Sequence, residues 1–391
     1  MRTKRFPAHT QCAGIYIHIP FCVRKCAYCD FLSGPADRTV MDAYVNRLDG
    51  ELMRTAERMR QEGTAVSTVY FGGGTPSILP GQQIVRMMDT LRRFAVILPD
   101  AEITLEMNPG TVTPEKMECY RRAGINRLSI GCQSFQEEEL KLLGRIHTCE
   151  DFMKTYDMAR RAGFDNISID LMSGLPGQTA ESWMQSLDKA VSLKPEHISA
   201  YSLIIEEGTP FYEKYGTGWS EKNEELDRQM YEDTKVILGR AGYDRYEISN
   251  YALPGYESRH NSSYWTGIPY YGCGLGASSL VRRPEGWYRT INESSLKRYL
   301  EEETAVLEEE ELLTEQDRME EFMFLGLRMT RGIRISEFEH RFPCAFEEVY
   351  GAAVRELKRD VLMGQEGDRL FLTDRGLDVS NYCFEKFLLP K

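Results

Sequence analysis

Short apolar runs rich in β-branched residues recur along the first half of the chain. Each run is short enough for a strand that is buried on both faces. Segments of helical length lie between the runs, for example at 40–60, 81–94 and 181–193. Such alternation of strands and helices is typical of an α/β fold with a parallel sheet. The six predicted strands are GIYIHI (14–19), STVYF (67–71), EITLE (102–106), RLSIG (127–131), ISIDL (167–171) and HISAYSL (197–203).

Residues suited to chemistry follow the predicted strands closely. A cysteine-rich loop follows the first strand, and the sequence GGGTP (72–76) follows the second. Glu106 ends the third strand, Gly131 ends the fourth, Asp170 lies in the fifth and Tyr201 lies near the end of the sixth. In β/α barrels the reactive groups lie at the C-terminal ends of the strands, whereas a doubly wound sheet binds its ligand at one switch point. The pattern therefore favours a partial (β/α)6 TIM-like barrel over a doubly wound sheet.

The pattern changes near residue 300, where helical periodicity replaces the alternation of strands and helices. Three helices and one hairpin are predicted at 314–329, 335–342, 345–363 and 367–376. This order is typical of a winged helix, but the recognition-like segment carries as many acids as bases, which argues against DNA binding. We expect instead a lid over the barrel mouth or a partner-docking module. The predicted domains are a barrel at 1–299 and a helical, winged-helix-like domain at 300–391.

Composition and charge narrow the functional class. The 391 residues are 42% hydrophobic and 28% charged, an ordinary globular composition. Because no apolar run reaches about 20 residues and the basic N-terminus lacks a signal-peptide pattern, we expect a cytoplasmic protein. The net charge of −12 argues against a large nucleic-acid interface. The acidic run at 301–312 is expected to form a solvated helix face or a linker.

Three of the ten cysteines lie within eight residues, at Cys22, Cys26 and Cys29. The other seven are scattered, and we expect them to be reduced core residues without chemistry. Three thiols at this spacing can ligate three irons of a [4Fe–4S] cube and leave the fourth iron open to an exchangeable ligand. One alternative is structural zinc, which normally needs four ligands and finds only His18 nearby. Chance clustering of core cysteines is another.

The loops after the second, third and fifth strands supply groups that can bind a small ligand. The glycines of GGGTP permit close approach to the backbone, and such turns can cradle anionic or zwitterionic groups. A tight strand-to-helix turn is the simpler explanation of this loop. Glu106 and Asp170 can accept hydrogen bonds from amino or hydroxyl groups, although a helix cap or a buried ion pair would also explain them.

The CxxxCxxC loop after the first strand resembles the signature of radical S-adenosylmethionine (SAM) enzymes. In that superfamily SAM chelates the open iron, and an electron from the reduced cluster cleaves it to methionine and a 5′-deoxyadenosyl radical. Further motifs resemble the branch that contains oxygen-independent coproporphyrinogen III dehydrogenase (HemN) and the heme chaperone HemW, and the resemblance covers residue 14 to the C-terminus. These motifs are YIHIPFCxxxCxYCDF, FGGGTPS, LExNP, NRLSIGxQSF, LGRxH, IDLxxGLPGQT and HISxYxLxxExGTP.

The resemblance implies which residues bind the cofactors. Cys22, Cys26 and Cys29 would hold the cluster, and the GGGTP loop would receive the methionine end of SAM. Two SAM sites have been described in this branch. The residues implied for the first site are Tyr16, Gly73 and Glu106, and those for the second are Tyr28, Gly74, Thr75, Gln133, Arg145 and Asp170.

Two departures separate the chain from the dehydrogenase and place it nearer the chaperone. The dehydrogenase signature continues to a fourth cysteine, where this chain has Phe31, and its N-terminal extension is longer. The segment RHNSSYW (259–265) resembles the HNxxYW motif proposed for heme contact. A neutral imidazole of His260 is a suitable axial ligand, and Tyr264 and Trp265 can offer flat apolar surface to a porphyrin. The alternative is a packed aromatic corner around a hydrogen-bonded histidine.

The resemblance implies a heme chaperone that binds a [4Fe–4S] cluster, SAM and heme and delivers heme to apo-hemoproteins, including membrane-associated respiratory proteins. The first alternative is a radical SAM oxidoreductase acting on coproporphyrinogen III or another porphyrin. A second is a redox-regulated binding protein with a structural cluster, which would not bind SAM. Either a monomer or a homodimer is compatible with the resemblance. His147 and His197 are expected to be structural or to line the SAM cleft.

Overall fold

The computed structural model describes residues 11–216, 218–219, 223–302 and 307–390. Within these residues twelve strands form one large sheet. In chain order they are β1 (Gln11–Ile19), β2 (Thr64–Gly73), β3 (Val96–Met107), β4 (Arg127–Gln133), β5 (Ile167–Ser173), β6 (His197–Ser202), β7 (Asp244–Arg245), β8 (Asn250–Ala252), β9 (Tyr270–Cys273), β10 (Ser278–Arg283), β11 (Gly286–Asn292) and β12 (Leu307–Leu313). Across the sheet they follow the order β12-β11-β10-β9-β1-β2-β3-β4-β5-β6-β8-β7.

Strands β1 to β6 are neighbours in sequence order, and all five pairings between them are parallel. Their C-terminal ends therefore share one rim, as a parallel β/α arrangement requires. Each predicted strand is present, and the partial six-stranded barrel is confirmed. Strand β3 begins earlier than predicted, because Val96 and Ile97 also pair with β2, before an irregularity in the register that precedes Glu102.

Helices cover the outer face of the parallel strands and bury an apolar side against them. Local signals set their beginnings. Thr113 accepts a hydrogen bond from the N–H of Lys116, with Pro114 in the first turn as the sequence predicts. Thr148 and Asp151 form a capping box. The helices are Arg38–Gln61, Gly81–Phe94, Pro114–Arg122, Glu137–Leu142, Cys149–Arg161, Ala180–Ser192, Pro210–Tyr215, Glu224–Arg240, Arg259–Trp265 and Leu296–Glu301, with a 3₁₀ turn at Pro76–Ile78.

Additional strands extend the barrel sheet at both edges, and the sequence analysis missed them. Strand β9 pairs in parallel with β1, and β10, β11 and β12 follow it in antiparallel order. At the other edge β8 pairs antiparallel with β6, and β7 with β8. The expectation for the acidic run is wrong over 307–312, because these residues belong to edge strand β12 rather than to a helix or linker. Residues 303–306 lie outside the described part of the chain.

A second apolar core forms after β12 around Phe338, Tyr350 and Leu357. It is built by the helices Glu315–Gly326, Ile335–Arg341, Phe346–Arg359, Asp374–Asp378 and Ser380–Glu385. A small sheet of order β13-β15-β14 completes it, with β13 at Ile333–Arg334, β14 at Met363–Glu366 and β15 at Arg369–Leu372. The predicted helical domain with a hairpin wing is confirmed in outline, but the hairpin lies at 363–372 rather than at 367–376, because the preceding helix ends at Arg359 and a further helix begins at Asp374. The exact division at residue 300 stays a prediction, and β12 pairs with the barrel strand β11 beyond it.

Among the described residues, no helix combines the length and the apolar character needed to span a bilayer.

Candidate functional site

A cavity of about 430 Å³ opens at the rim where the parallel strands end. Each of the strands β1 to β6 contributes to its wall, either from its C-terminal part or from the loop after it, so the convergence expected from the sequence is present. We call it the rim cavity. The predicted site residues that line it are Cys22, Cys26, Tyr28, Cys29, Gly73, Gly74, Thr75, Glu106, Gln133, Arg145 and Asp170.

The cysteine loop crosses one side of the rim cavity with its three thiols free and partly exposed. The loop is tied to its surroundings through the backbone, since the N–H of Ala27 donates to the Leu143 carbonyl at 3.0 Å. Thr75 Oγ1 donates to Cys22 Sγ at 3.5 Å, and Arg145 Nη1 donates to Cys26 Sγ at 3.6 Å. Donors of this kind stabilise thiolates, which are the metal-binding form of cysteine.

The histidine that zinc would need is already engaged. His18 is buried, its Nδ1 lies 3.0 Å from the Tyr16 hydroxyl, and its Nε2 lies 3.0 Å from the Leu32 carbonyl. Burial also lowers its pKa. Within the described part of the chain, no three His, Cys, Asp or Glu side chains converge on the position of one metal ion. The thiols instead surround an open cavity, an arrangement that fits a multi-iron cluster better than a single zinc ion.

The glycine loop after β2 approaches the cavity so closely that side chains are excluded. Gly73 has a φ of +110°, and a Cβ there would lie 2.5 Å from the ring of His18. A Cβ on Gly74 would lie 2.8 Å from the Phe21 carbonyl oxygen and 2.9 Å from Cys22 Sγ. The loop therefore leaves backbone without side chains beside the thiols, where a small zwitterion can approach closely. The N–H of Gly74 is itself held by the Ile19 carbonyl at 2.9 Å.

Two carboxylates lie in the rim cavity in different surroundings. Glu106 accepts a hydrogen bond from the Tyr70 hydroxyl at 2.7 Å and one from the Gly73 N–H at 3.2 Å. Burial raises the pKa of Glu106 to about 7 in spite of these donors. Asp170 accepts hydrogen bonds from the hydroxyls of Ser129, at 2.9 Å, and Ser168, at 3.1 Å, and burial raises its pKa as well. Neither carboxylate forms a described ion pair, so the alternative of a buried salt bridge finds no support.

Gln133 and Arg145 bring polar atoms to the cavity that the protein does not satisfy. Gln133 has a φ of +63°, and its buried Oε1 has no hydrogen-bond partner. Arg145 donates from Nη2 to Asn108 Oδ1 at 2.6 Å, while its Nε is buried without a partner. Because both side chains line the rim cavity, a bound ligand could pair with these two atoms.

The two predicted tyrosines lie at different depths. Tyr28 lines the rim cavity and packs against Phe211, with ring centroids 6.4 Å apart. Tyr16 does not line the cavity, and it stacks on Tyr70 beneath the glycine loop with centroids 6.2 Å apart. The sequence analysis missed Tyr70 and Asn108 as site residues. Both occupy positions in or directly after a strand, which is the signal that could have identified them.

No residue of the RHNSSYW segment lines the rim cavity. His260 is fully buried, its Nδ1 lies 2.8 Å from Thr68 Oγ1, and its Nε2 lies 2.8 Å from the Tyr264 hydroxyl. Its ring stacks on Tyr70 with centroids 5.0 Å apart. Burial, assisted by the cation of Arg127, lowers the pKa of His260 to about 3, so the imidazole is neutral. In this position both ring nitrogens are engaged.

Trp265 ends the same helix in different surroundings, because it lines a separate, larger cavity on the other side of the barrel.

His147 and His197 are structural rather than cavity-lining. His197 is fully buried, with Nδ1 2.7 Å from Ser168 Oγ and Nε2 2.8 Å from the Tyr246 hydroxyl. His147 is buried with Nε2 3.3 Å from the Cys132 carbonyl, and burial lowers its pKa to about 4.

Comparison with known proteins agrees with this geometry. Residues 16–190 match the Radical SAM superfamily, and residues 313–379 match the HemN C-terminal domain. A protein of Lactococcus lactis named heme chaperone HemW is 38% identical, over 96% of this chain and 97% of its own. The HemW of Escherichia coli is 41% identical over 70% of this chain and 71% of its own.

Similarity of fold extends to a solved structure. Coproporphyrinogen III oxidase (HemN) from Escherichia coli superposes with a TM-score of 0.81, at 24% identity, over 97% of this chain and 90% of that one. At this identity the likeness shows the fold alone. The identities of 38% and 41% to the relatives named heme chaperone HemW, over 96% and 70% of this chain, show more, and this chain belongs to the HemW family of the radical SAM superfamily.

Proposed function

We propose that the protein is a heme chaperone, which binds a [4Fe–4S] cluster, SAM and heme and passes heme to apo-hemoproteins. The observation that carries this proposal is the similarity to relatives named heme chaperone HemW, which spans 96% of the chain and includes both the rim cavity and the C-terminal domain. We expect it to act in the cytoplasm, as a monomer or homodimer, and to serve recipients that include membrane-associated respiratory proteins. Residues 1–299 and 300–391 would be its two domains.

In this proposal Cys22, Cys26 and Cys29 hold the cluster. The three free thiols beside one cavity support it, as does the hydrogen bond from Arg145 to Cys26. When bound and reduced, the cluster supplies an electron to SAM. The protein's own part is to hold three thiolates and to leave room beside them for an exchangeable ligand.

The bare glycine backbone and Glu106 would receive the methionine end of SAM, and Tyr16 supports this wall through its stacking on Tyr70. Glu106 accepts most strongly from an ammonium group as a carboxylate, so tight binding at neutral pH favours loss of a proton from a group whose pKa is about 7. The unpaired Oε1 of Gln133 and Nε of Arg145 would satisfy a second polar ligand. Tyr28, Gly74, Thr75 and Asp170 complete that second SAM site.

For heme we propose that His260, Tyr264 and Trp265 contribute to binding. To reach an iron atom, His260 would have to release both Thr68 and Tyr264. Its contribution is therefore expected to be the positioning of the helix that carries Trp265, which borders the larger cavity. We expect His260→Ala to weaken the heme complex, and unchanged heme affinity in that variant would contradict the assignment.

An anaerobic turnover assay separates the chaperone from the alternative, a radical SAM oxidoreductase. The reconstituted, reduced protein receives SAM and coproporphyrinogen III, while a parallel sample carries heme and receives an apo-globin as acceptor. The proposal expects heme transfer without decarboxylated product. Accumulation of 5′-deoxyadenosine and protoporphyrinogen over many turnovers, with no transfer, would establish the oxidoreductase instead. Failure to bind SAM would favour the redox-regulated binding protein with a structural cluster.

A further inference from the structure

A groove of about 940 Å³ lies between the N-terminal end of the barrel strands and the C-terminal helical domain. Its barrel side includes Trp265 and Trp287, and its other side includes Arg318, Phe322 and His340. We call it the basal groove. The volume lies near the upper end of the about 300–1,000 Å³ range of pockets that enclose a cofactor-sized molecule. Neither the motifs nor the proposed cluster and SAM sites account for it.

Flat aromatic surface lines the basal groove. Trp265 and Trp287 face it from the barrel, and Phe322 and Phe342 face it from the C-terminal domain. The indole Nε1 of Trp265 is buried and has no hydrogen-bond partner, although the Arg328 guanidinium lies 4.3 Å from its ring centroid. Phe342 is itself buried in the core of the C-terminal domain, whereas Trp265, Trp287 and Phe322 are half-buried.

The guanidinium of Arg318 lies 5.1 Å from the ring centroid of Trp287, and that of Arg341 lies 5.2 Å from that of Phe322. The wall therefore combines aromatic rings with cations, which suits a flat ligand that carries anionic groups.

Cations dominate the charge of the basal groove, against the overall excess of acids in the chain. Six arginines line it, namely Arg282, Arg318, Arg331, Arg334, Arg341 and Arg369. The two acids there are already paired, Glu321 with Arg289 at 2.6 Å and Glu337 with Arg341.

Four of the arginines, Arg282, Arg318, Arg331 and Arg369, form no ion pair within the part of the chain that the structure describes. Burial and the nearby cations of Arg282 and Arg341 lower the pKa of Arg318. The charge is therefore uncompensated, and it favours an anionic ligand.

The groove also offers a histidine that can reach a ligand. His340 is exposed on the helix Ile335–Arg341, and it is the one histidine among the described groove-lining residues. It makes no hydrogen bond in the described structure, unlike His260, which has both ring nitrogens engaged. An accessible imidazole is a suitable axial ligand for heme iron.

We propose that the basal groove is a heme-binding site, in which the tryptophans and Phe322 contact the tetrapyrrole ring, the arginines that form no ion pair bind its propionates and His340 ligates the iron. This proposal rests on the proposed function, and it states where the protein binds heme before transfer. A flat aromatic dicarboxylate matches both the apolar walls and the excess of guanidinium groups. Trp265 links this site to the RHNSSYW segment, so that segment contributes one wall rather than the axial ligand.

Two ligands separate the roles of the arginines and of His340. Heme and metal-free protoporphyrin IX are titrated into the full chain, and binding is followed by visible absorbance. The double variant Arg282→Ala/Arg318→Ala is expected to weaken both ligands at least tenfold, because both carry propionates. His340→Ala is expected to weaken heme at least tenfold and to shift its absorbance bands, while protoporphyrin IX binds as before. Arg240→Ala, an exposed arginine outside the groove, is the matched control and should change neither.

The outcomes distinguish this inference from the proposed function. If the natural protein binds heme but the groove variants bind it with unaltered affinity and spectrum, the groove proposal is overturned and the chaperone proposal stands. If the natural protein binds no heme, both are overturned. Urea unfolding of each variant shows whether it folds, and the unchanged binding of protoporphyrin IX by His340→Ala excludes global damage as the cause of lost heme affinity.

Discussion

The rim cavity and the basal groove lie at opposite ends of the same barrel and differ in nearly every chemical respect. The rim cavity holds thiols, bare glycine backbone and two buried carboxylates. The basal groove holds arginines, tryptophans and one accessible imidazole. The first suits a metal cluster with a small zwitterion, and the second suits a large, flat dianion. The comparison teaches that one barrel can bind a cofactor and a cargo at separate sites. The cofactor site carries carboxylates and thiols, whereas the cargo site carries an excess of cations.

A column of aromatic side chains connects the two ends through the barrel interior. Glu106 at the rim accepts from Tyr70, whose ring stacks on His260 at 5.0 Å between centroids. His260 lies within hydrogen-bonding distance of Tyr264, which precedes Trp265 in the wall of the groove. The buried RHNSSYW segment is thus the structural link between the cavities, and it belongs wholly to neither.

The largest expected effect comes from removing one cluster thiol. Cys26→Ala leaves two thiols for a cube that needs three, so we expect complete loss of the [4Fe–4S] cluster, measured as bound iron and sulfide after reconstitution. Heme affinity should stay within twofold of the natural protein, because the groove is at the other end of the barrel. Cys344→Ala is the matched control and should retain the cluster. Loss of heme binding together with the cluster would mean that the two sites are not separate.

The sequence predicted the rim far better than the groove, for a physical reason. Each rim residue lies directly after a strand within a short motif, so parallel strands bring contiguous segments such as CxxxCxxC and GGGTP to one edge. Trp287, Arg318 and His340 come from three separate elements with no common spacing. Only the packing of the C-terminal domain against the barrel brings them together.

Strand β12 of the large sheet was also missed, because a sequence pattern predicts buried strands better than exposed ones. Strand β12 carries the run LEEEELL at an exposed edge, where no face is buried and no alternation of apolar and polar residues is needed. Its pairing with β11 depends on backbone hydrogen bonds, and Glu310 also forms an ion pair with Arg283 of β10 at 2.7 Å. The buried strands β1 to β6 were predicted because their apolar character is required on both faces.

The next largest effect should follow from creating a cavity in the core of the C-terminal domain. Phe338 is fully buried and packs edge-on against Phe346 with ring centroids 5.2 Å apart. Phe338→Ala is expected to destabilise the domain by about 3–5 kcal/mol, as measured by urea unfolding. If the rim cavity and the basal groove are separate sites, this variant should lose heme affinity, because the C-terminal domain forms one wall of the groove. It should still retain the cluster. A variant that loses the cluster as well would show that the rim depends on this domain.

A smaller loss of stability is expected from His260→Ala, because the change removes a buried imidazole between Thr68 and Tyr264 and leaves two hydroxyls without their partner. We expect a loss of about 2–3 kcal/mol in the free energy of unfolding. His260→Ala should weaken heme without shifting the absorbance bands of the complex that remains, whereas His340→Ala should shift them. A band shift in His260→Ala alone would assign the axial ligand to His260.

The smallest effect concerns the protonation of Glu106. Its pKa of about 7 in the folded protein exceeds the ordinary value of a glutamate, so between these values the folded state binds more protons than the unfolded state. The free energy of unfolding should therefore fall as pH rises through this window, while SAM affinity should rise several-fold from pH 6 to pH 8 as the acceptor carboxylate forms.

Glu106→Gln should remove both dependences, and Glu118→Gln, on an exposed helix face, should preserve them. Titrations with SAM across this pH range measure the effect, and an unaltered pH profile in Glu106→Gln would mean that another group controls SAM binding at the rim.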